Sequence, residues 1–153
     1  MRAQYTLRKA SVADLDRILE IEEASLGREA YDRKLFAYYL SRCRDLFLLA
    51  SRRGRACGYM ITSIRGGALG TRAELVSVAV NPAARQAGAA SALLESTLRR
   101  LRRRGVGRLH LVVRVTNRPA QAFYEKYGFR RVRVVRGYYE DGGDGIAMSR
   151  EIG

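Results

Sequence analysis

Residues 74–115 carry the pattern that most narrows the possible folds. Glu74-Leu75-Val76-Ser77-Val78-Ala79-Val80 alternates with a period of two and reads as a strand, with Glu74, Val76, Val78 and Val80 on one face. Asn81-Pro82 ends it, because proline has no N–H for a ladder. A long helix follows from about Ala89 to Arg104, closed by Gly105 or Gly107. Leu109 to Val115 is then a largely apolar strand, as expected inside a parallel pair. A helix that bridges two such strands calls for an α/β layer structure.

The flanking elements complete that layer. Gln4 to Arg8 alternates as a first strand. Ser11 opens a helix with Asp14 three residues on, a weak capping box, and Leu15, Ile18, Leu19 and Glu22 keep helical spacing until near Ser25. Leu26 to Glu29 reads as a loop, and Arg33 to Arg42 as a second helix with Leu35, Phe36, Tyr39 and Leu40 facing inward. Asp45 to Ser51 and Ala56 to Ile64 are strands joined at Arg52-Arg53-Gly54-Arg55, and Gly66, Gly67 and Gly70 make a loose loop. Pro119 opens a short helix that stops before Gly128, and Phe129 to Val135 and Ile146 to Glu151 are closing strands. The order β-α-α-β-β-β-α-β-α-β-β predicts one domain over 1–153, a mixed seven-stranded sheet with helices on both faces.

Composition limits the function classes. A chain of 153 residues with 47% hydrophobic and 29% charged residues is long enough for a self-supporting core. The longest apolar runs fall far short of the ~20 residues of a membrane helix, and no apolar leader opens the chain, which predicts a cytoplasmic protein without membrane contact. Cys43 and Cys57 lack metal-ligand spacing, so no metal is expected. The net charge is +14, and only Lys9, Lys34 and Lys126 of the 29 cations are lysines, which leaves 26 arginines. Such a surface attracts phosphates, nucleic acid or acidic peptides. Coding bias toward arginine yields the same composition, so nucleic acid is compatible but not required.

The segment between the strand ending at Val80 and the helix at Ala89 reads as an anion site. Its small residues expose backbone N–H groups at the positive end of the helix, and a side chain at Gly88 would block a phosphate. The spacing Arg85-x-x-Gly88-x-Ala90 is neither a dinucleotide fingerprint nor a Walker loop.

Taken together, Glu74 to Pro82, Arg85-x-x-Gly88-x-Ala90 and Asn117-x-x-Ala120-x-x-Phe123-Tyr124-x-x-Tyr127-Gly128-Phe129 resemble the GCN5-related N-acetyltransferase superfamily over essentially the whole chain. Arg114-x-Thr116-Asn117 and Gly137-Tyr138-Tyr139 resemble its N-terminal protein acetyltransferases, and the ribosomal-protein alanine enzymes above all. The resemblance implies acetyl-CoA as donor and direct transfer to an amine. It implies that Val78, Ala79 and Val80 pair with the pantetheine arm, that Arg85, Gln86, Ala87, Gly88, Ala89, Ala90 and Ser91 surround the pyrophosphate, and that Asn117 lies beside the thiol. Tyr124 matches the tyrosine that protonates the leaving thiolate. Tyr31, Tyr138 and Tyr139 match positions that shape the acceptor groove. Each has a plainer role: Tyr124 as a packed tyrosine bonded to a carbonyl, Asn117 as a helix cap, Tyr138 and Tyr139 as a strand-end pair.

The chain departs from that pattern at one position. The ribosomal-protein enzymes carry a glutamate two residues before the arginine, where this chain has Val112, which accepts no proton. Glu74 matches the base of the histone-type branch, with an ion pair to an arginine as its plainer role, and His110 shares the face of Val112 as a minor candidate. An α-amine of pKa 7.7–8.0 is roughly 10–15% neutral at pH 7, and a lysine about 0.04%. A chain without the usual base therefore favours α-amines. The expectation is acetylation of a protein or peptide N-terminus, with a ribosomal protein among the candidates, by a monomer or homodimer. The competing expectations are acetylation of a small amine (polyamine, amino acid or aminoglycoside) and a non-catalytic acyl-CoA-binding module.

Overall fold

The computed structural model describes residues 5–26, 32–67, 70–84 and 88–153. Seven strands and four α-helices occur in the expected order: β1 (Thr6–Lys9), α1 (Leu15–Leu26), α2 (Arg33–Cys43), β2 (Phe47–Arg52), β3 (Arg55–Gly67), β4 (Gly70–Val80), α3 (Ala89–Arg103), β5 (Arg108–Arg114), α4 (Arg118–Lys126), β6 (Arg130–Val135) and β7 (Gly145–Glu151). The strands form one mixed sheet in the order β1-β2-β3-β4-β5-β7-β6. β4 and β5 are parallel, in register at Arg72–Arg108, Ala73–Leu109 and Glu74–His110, while β1·β2, β2·β3, β5·β7 and β6·β7 are antiparallel. The chain divides into two compact units, Met1–Ser63 with Leu75–Arg104, and Ile64–Glu74 with Gly105–Gly153.

In the first unit the helix entry is fixed locally. The Ser11 N–H donates to Asp14 Oδ2 at 2.8 Å, and Arg8 pairs with the same carboxylate at 2.7 Å. The capping residues form a short 3-10 turn, Val12–Asp14, so the α-helix starts four residues after its cap. β2 is the centre of this unit: Phe47, Leu48, Leu49 and Ala50 are all fully buried, and α2 and α3 both contact the strand. Strand alternation puts Phe47 with Phe36 of α2, ring centroids 6.2 Å apart. Glu22 of α1 is completely buried in this apolar surround. It accepts a hydrogen bond from the Tyr59 hydroxyl, which also lies 3.0 Å from Ser77 Oγ.

In the second unit β7 is the central strand, laddered to β5 on one side and β6 on the other. Leu109, Leu111 and Val113 of β5 and Ile146 and Met148 of β7 are buried, and Phe129 and Tyr124 join them. β6 is an edge strand, and its bulge between Arg131 and Arg133 is a common way of blunting such an edge. The glycines read from sequence as a loose loop are instead strand residues. β3 runs to Gly67 and β4 starts at Gly70, because ladder bonding uses only the backbone and outlasts the apolar side chains.

Tyr59→Phe removes the hydroxyl that joins Glu22 to Ser77 without changing the ring. It is expected to destabilise the protein by about 1–3 kcal/mol in urea titration. An unchanged unfolding midpoint would show that this buried polar cluster contributes nothing.

Candidate active site

Two groups of residues carry the chemistry, one in each unit. In the first, β4 ends at Val80 and the chain turns through a short 3-10 segment, Pro82–Ala84. Asn81 fixes this turn: its N–H donates to the Cys57 carbonyl at 2.7 Å, and its Oδ1 accepts from the Ala83 N–H at 3.0 Å. Gly88 is the N-cap of α3, at φ +95° and ψ 6°, a left-handed conformation costly for any residue with a Cβ. Among the described residues, a Cβ built there meets only Tyr5 Cε2, at 4.0 Å. Ala89 is buried, Ala90 and Ser91 are half-buried, and the first turn of this 15-residue helix presents its N–H groups beside the glycine. A left-handed glycine, small residues and the positive helix end fit a phosphate group. Val78 is half-buried on β4, with Ala79 and Val80 buried. Arg85, Gln86, Ala87 and Tyr31 lie outside the described residues.

In the second unit Asn117 caps α4. Its Oδ1 accepts from the Ala120 N–H at 3.2 Å, so the plainer role read from sequence is present. Seven residues on, Tyr124 is 6% exposed, with Phe123 and Phe129 ring centroids at 5.2 and 5.5 Å. Burial first, and the neighbouring Tyr139 second, push its phenol well above the ordinary tyrosine value. Its hydroxyl bonds to no carbonyl among the described residues, unlike that of an ordinary packed tyrosine. Burial thus keeps the phenol in its neutral form.

Glu74 and His110 are register partners on β4 and β5, and both line a cavity of about 210 Å³ with Arg65, Arg72 and Ala73. Arg65 lies 3.3 Å from the Glu74 carboxylate, whose side chain is 36% exposed, so the expected arginine pair forms while the carboxylate keeps access to solvent. Burial, then Arg72 and Arg108, hold His110 below the usual histidine value against the opposing pull of Glu74, so its imidazole is neutral at pH 7. Val112, two residues along β5, is half-buried opposite Ala147. Its Cγ1 fills the space over Gly145, where a Cβ would sit 2.5 Å from it and 3.5 Å from Tyr138 Cβ. The position is thus apolar in its packing as well as in its residue type.

Tyr138 is half-exposed and Tyr139 packs against it edge to face at 5.0 Å. The role of Arg114 in this loop was not evident from sequence. Its guanidinium lies 4.0 Å from the Tyr139 ring centroid and 3.2 Å from Asp141. The only advance signal was its place in the Arg-x-Thr-Asn pattern. Among the described residues no group of His, Cys, Asp and Glu could hold a metal ion, and no helix is long and apolar enough to cross a membrane.

The sequence matches the Acetyltransferase (GNAT) family over residues 13–129. It is 33% identical to an N-alpha-acetyltransferase of Saccharolobus solfataricus, over 97% of this chain and 93% of that protein. The structure superposes on the ribosomal-protein-S18-alanine N-acetyltransferase of Escherichia coli with a TM-score of 0.83 and 30% identity, covering 97% of this chain and 94% of the other. On Ard1 of Thermoplasma volcanium the TM-score is 0.89 with 27% identity, covering 97% of both chains. The chain is an acetyl-CoA-dependent N-acetyltransferase and belongs to the GNAT acetyltransferase family.

Proposed function

We propose that this enzyme acetylates the α-amine of protein or peptide N-termini, working as one acetyltransferase domain over residues 1–153. The observation that carries the reading is the similarity, over 97% of the chain, to an N-alpha-acetyltransferase; Tyr124, a buried phenol packed on Phe123 and Phe129, supplies the acid such a transfer needs. Acetyl-CoA supplies a thioester whose C–S bond breaks as the amine nitrogen bonds to the acetyl carbon, and the departing thiolate needs one proton. Tyr124 is assigned as the acid that delivers it. The N–H groups around Gly88, Ala89, Ala90 and Ser91, with Arg85, Gln86 and Ala87, are assigned to the pyrophosphate. The Val78, Ala79 and Val80 backbone is assigned to the pantetheine arm, and Asn117 to the thiol end.

The amine must also lose a proton. Glu74 is assigned as its acceptor, through the solvent of the cavity it shares with His110. An α-amine needs this help far less than a lysine, since a substantial fraction is neutral at pH 7. Tyr31, Tyr138 and Tyr139 are assigned to the acceptor. The names of the relatives support the same acceptor class: one acts as an N-alpha-acetyltransferase and another on ribosomal protein bS18 alanine. A ribosomal protein is accordingly the first acceptor to try.

The direct test is acetyl-CoA turnover on lysine-free peptides with a free N-terminus, against lysine peptides with a blocked one. Turnover on the first set alone is expected, whereas turnover only on the second, or only on small amines, would refute the assignment. On the productive peptide, Glu74→Gln is expected to lower kcat at neutral pH and to leave a rate that climbs with the ionisation of the amine. An unaltered kcat and profile would remove Glu74 from the mechanism.

Gly88→Glu places bulk and negative charge at the N-terminus of α3 and forces a left-handed conformation on a residue with a Cβ. Calorimetric titration of the folded variant should show no acetyl-CoA binding. Retained affinity would move the phosphate site elsewhere.

Tyr124→Phe should reduce kcat by roughly 10²–10⁴-fold with acetyl-CoA affinity nearly unchanged. It also has a pH signature. The phenol is raised in the folded protein, so the folded state keeps its proton above ~10, where the unfolded chain releases it. Wild-type stability therefore falls as pH rises past that point. The phenylalanine variant lacks this loss, and should lose less stability between pH 9 and pH 11 by about one group's worth of linkage. Identical alkaline profiles would contradict the raised value.

A further inference from the structure

The segment from Gly137 to Asp144 holds three glycines and no apolar aliphatic residue, so it has little of its own with which to hold a conformation. Internal bonds give it a shape. The Gly137 N–H donates to Asp144 Oδ1 at 2.9 Å, Tyr139 N–H to the Gly143 carbonyl at 3.1 Å, and Gly143 N–H to Asp141 Oδ1 at 2.9 Å. The ends of the segment are held by the hairpin it closes, where Val135 is in register with Gly145 and Gly145 with Arg114. Two groups at the end of β5 tie it further to the sheet: the Val115 N–H, which donates to the Asp144 carbonyl at 3.1 Å, and the side chain of Arg114.

Arg114 engages three parts of the loop at once. Its guanidinium stacks on Tyr139, with 4.0 Å to the ring centroid. Its NH1 reaches Asp141 Oδ1 at 3.2 Å. The same nitrogen occupies the space in front of Gly143, where a Cβ would lie only 2.6 Å from it. Asp141 is held ionised well below the usual carboxylate range, first by the Gly143 N–H and then by Arg114. Planar stacking and a directed N–H···O⁻ bond from one side chain are what a guanidinium supplies and an ammonium does not. Tyr139 in turn packs on Tyr138, and it is the charge neighbour of Tyr124.

We propose that Arg114 is a positioning residue that clamps the 137–144 loop onto the end of β5, and so fixes Tyr138 and Tyr139 in the geometry that receives the acceptor. The inference rests on the reading of Tyr138 and Tyr139 as acceptor contacts. The clamp itself stands on geometry alone.

The test uses three variants of the full chain: Arg114→Met, which removes charge and stacking, Arg114→Lys, which keeps charge only, and Gly143→Ala, whose Cβ would crowd the guanidinium at 2.6 Å and Asp141 Oδ1 at 3.0 Å and so part the pair without changing either group. Two readouts are taken, amide hydrogen exchange at Val115, whose N–H donates to the Asp144 carbonyl, and steady-state kinetics with acetyl-CoA and a lysine-free acceptor peptide. Arg114→Met and Gly143→Ala should each speed Val115 exchange and raise the peptide KM by about tenfold, with the acetyl-CoA KM unchanged. Arg114→Lys should fall between them and wild type. Unchanged exchange in both severe variants would overturn the clamp. Faster exchange with an unchanged peptide KM would keep the clamp but overturn its positioning role, and with it the assignment of Tyr138 and Tyr139 to the acceptor. Equal rises in both KM values would overturn it too, since a merely structural lesion has no reason to spare acetyl-CoA.

Discussion

The parallel ladder between β4 and β5 is the constraint from which the second group of site residues follows. Parallel strands need a crossover between them, and α3 is that crossover. The ladder puts Glu74 beside His110 on strands ~4.8 Å apart, so that a carboxylate and a neutral imidazole border one cavity. The crossover also dictates that a helix must begin soon after β4 ends. A helix beginning there brings its N–H groups, and Gly88 is the residue that lets the chain enter it in a left-handed turn. The helix N-terminus at Gly88 and the Glu74–His110 cavity are two consequences of one connection.

The features legible in the sequence were those with a period or a stop signal. Alternation over Glu74 to Val80, the Asn81-Pro82 stop, Gly88 and the Pro119 helix start each state a local backbone requirement, and the structure has each of them. Tyr124 and Asn117 have no such local signal and stand out only through the resemblance to the acetyltransferase pattern. The contacts of Arg114 were not legible, because they join β5 to a loop about 25–29 residues later and follow no period. Gly66, Gly67 and Gly70 are strand residues for a related reason: glycine lowers strand propensity, yet pairing with a neighbouring strand overrides it. Sequence pattern reports what a segment prefers alone, and these two features are decided by what lies across from the segment.

The arginine content looks different once partners are assigned. Arg100 and Arg104 both hold Asp45, Arg17 donates to the Ala56 carbonyl and to Glu20, and Arg150 donates to the Tyr127 carbonyl. Arg131 joins Glu125 to the buried amide of Gln121, which itself donates to the Arg114 and Val115 carbonyls. These are uses of a forked, permanently charged donor that bridges backbone and carboxylate together, a task lysine performs poorly. Part of the excess positive charge is therefore internal scaffolding. The +14 net charge alone is not an argument for a polyanionic partner.

The chemistry of the site is asymmetric, and the asymmetry bears on the acceptor. Tyr124, the assigned acid, is buried with aromatic flanks, and burial keeps its phenol neutral. The base side is weakly built, with Val112 packed over Gly145 and Glu74 shared with Arg65 at the mouth of a solvent-lined cavity. A lysine acceptor at pH 7 needs about 4.6 kcal/mol to lose its proton, from a pKa of 10.4, whereas an α-amine near 8 needs ~1.4 kcal/mol. Glu74, ion-paired and partly exposed, is a modest acceptor for either. The ~3 kcal/mol between them amounts to more than a hundredfold in the population of reactive amine. The weaker the base, the more the reaction depends on amine that is already neutral, and at pH 7 the N-terminus of a chain supplies roughly 10–15% in that form against about 0.04% for a lysine.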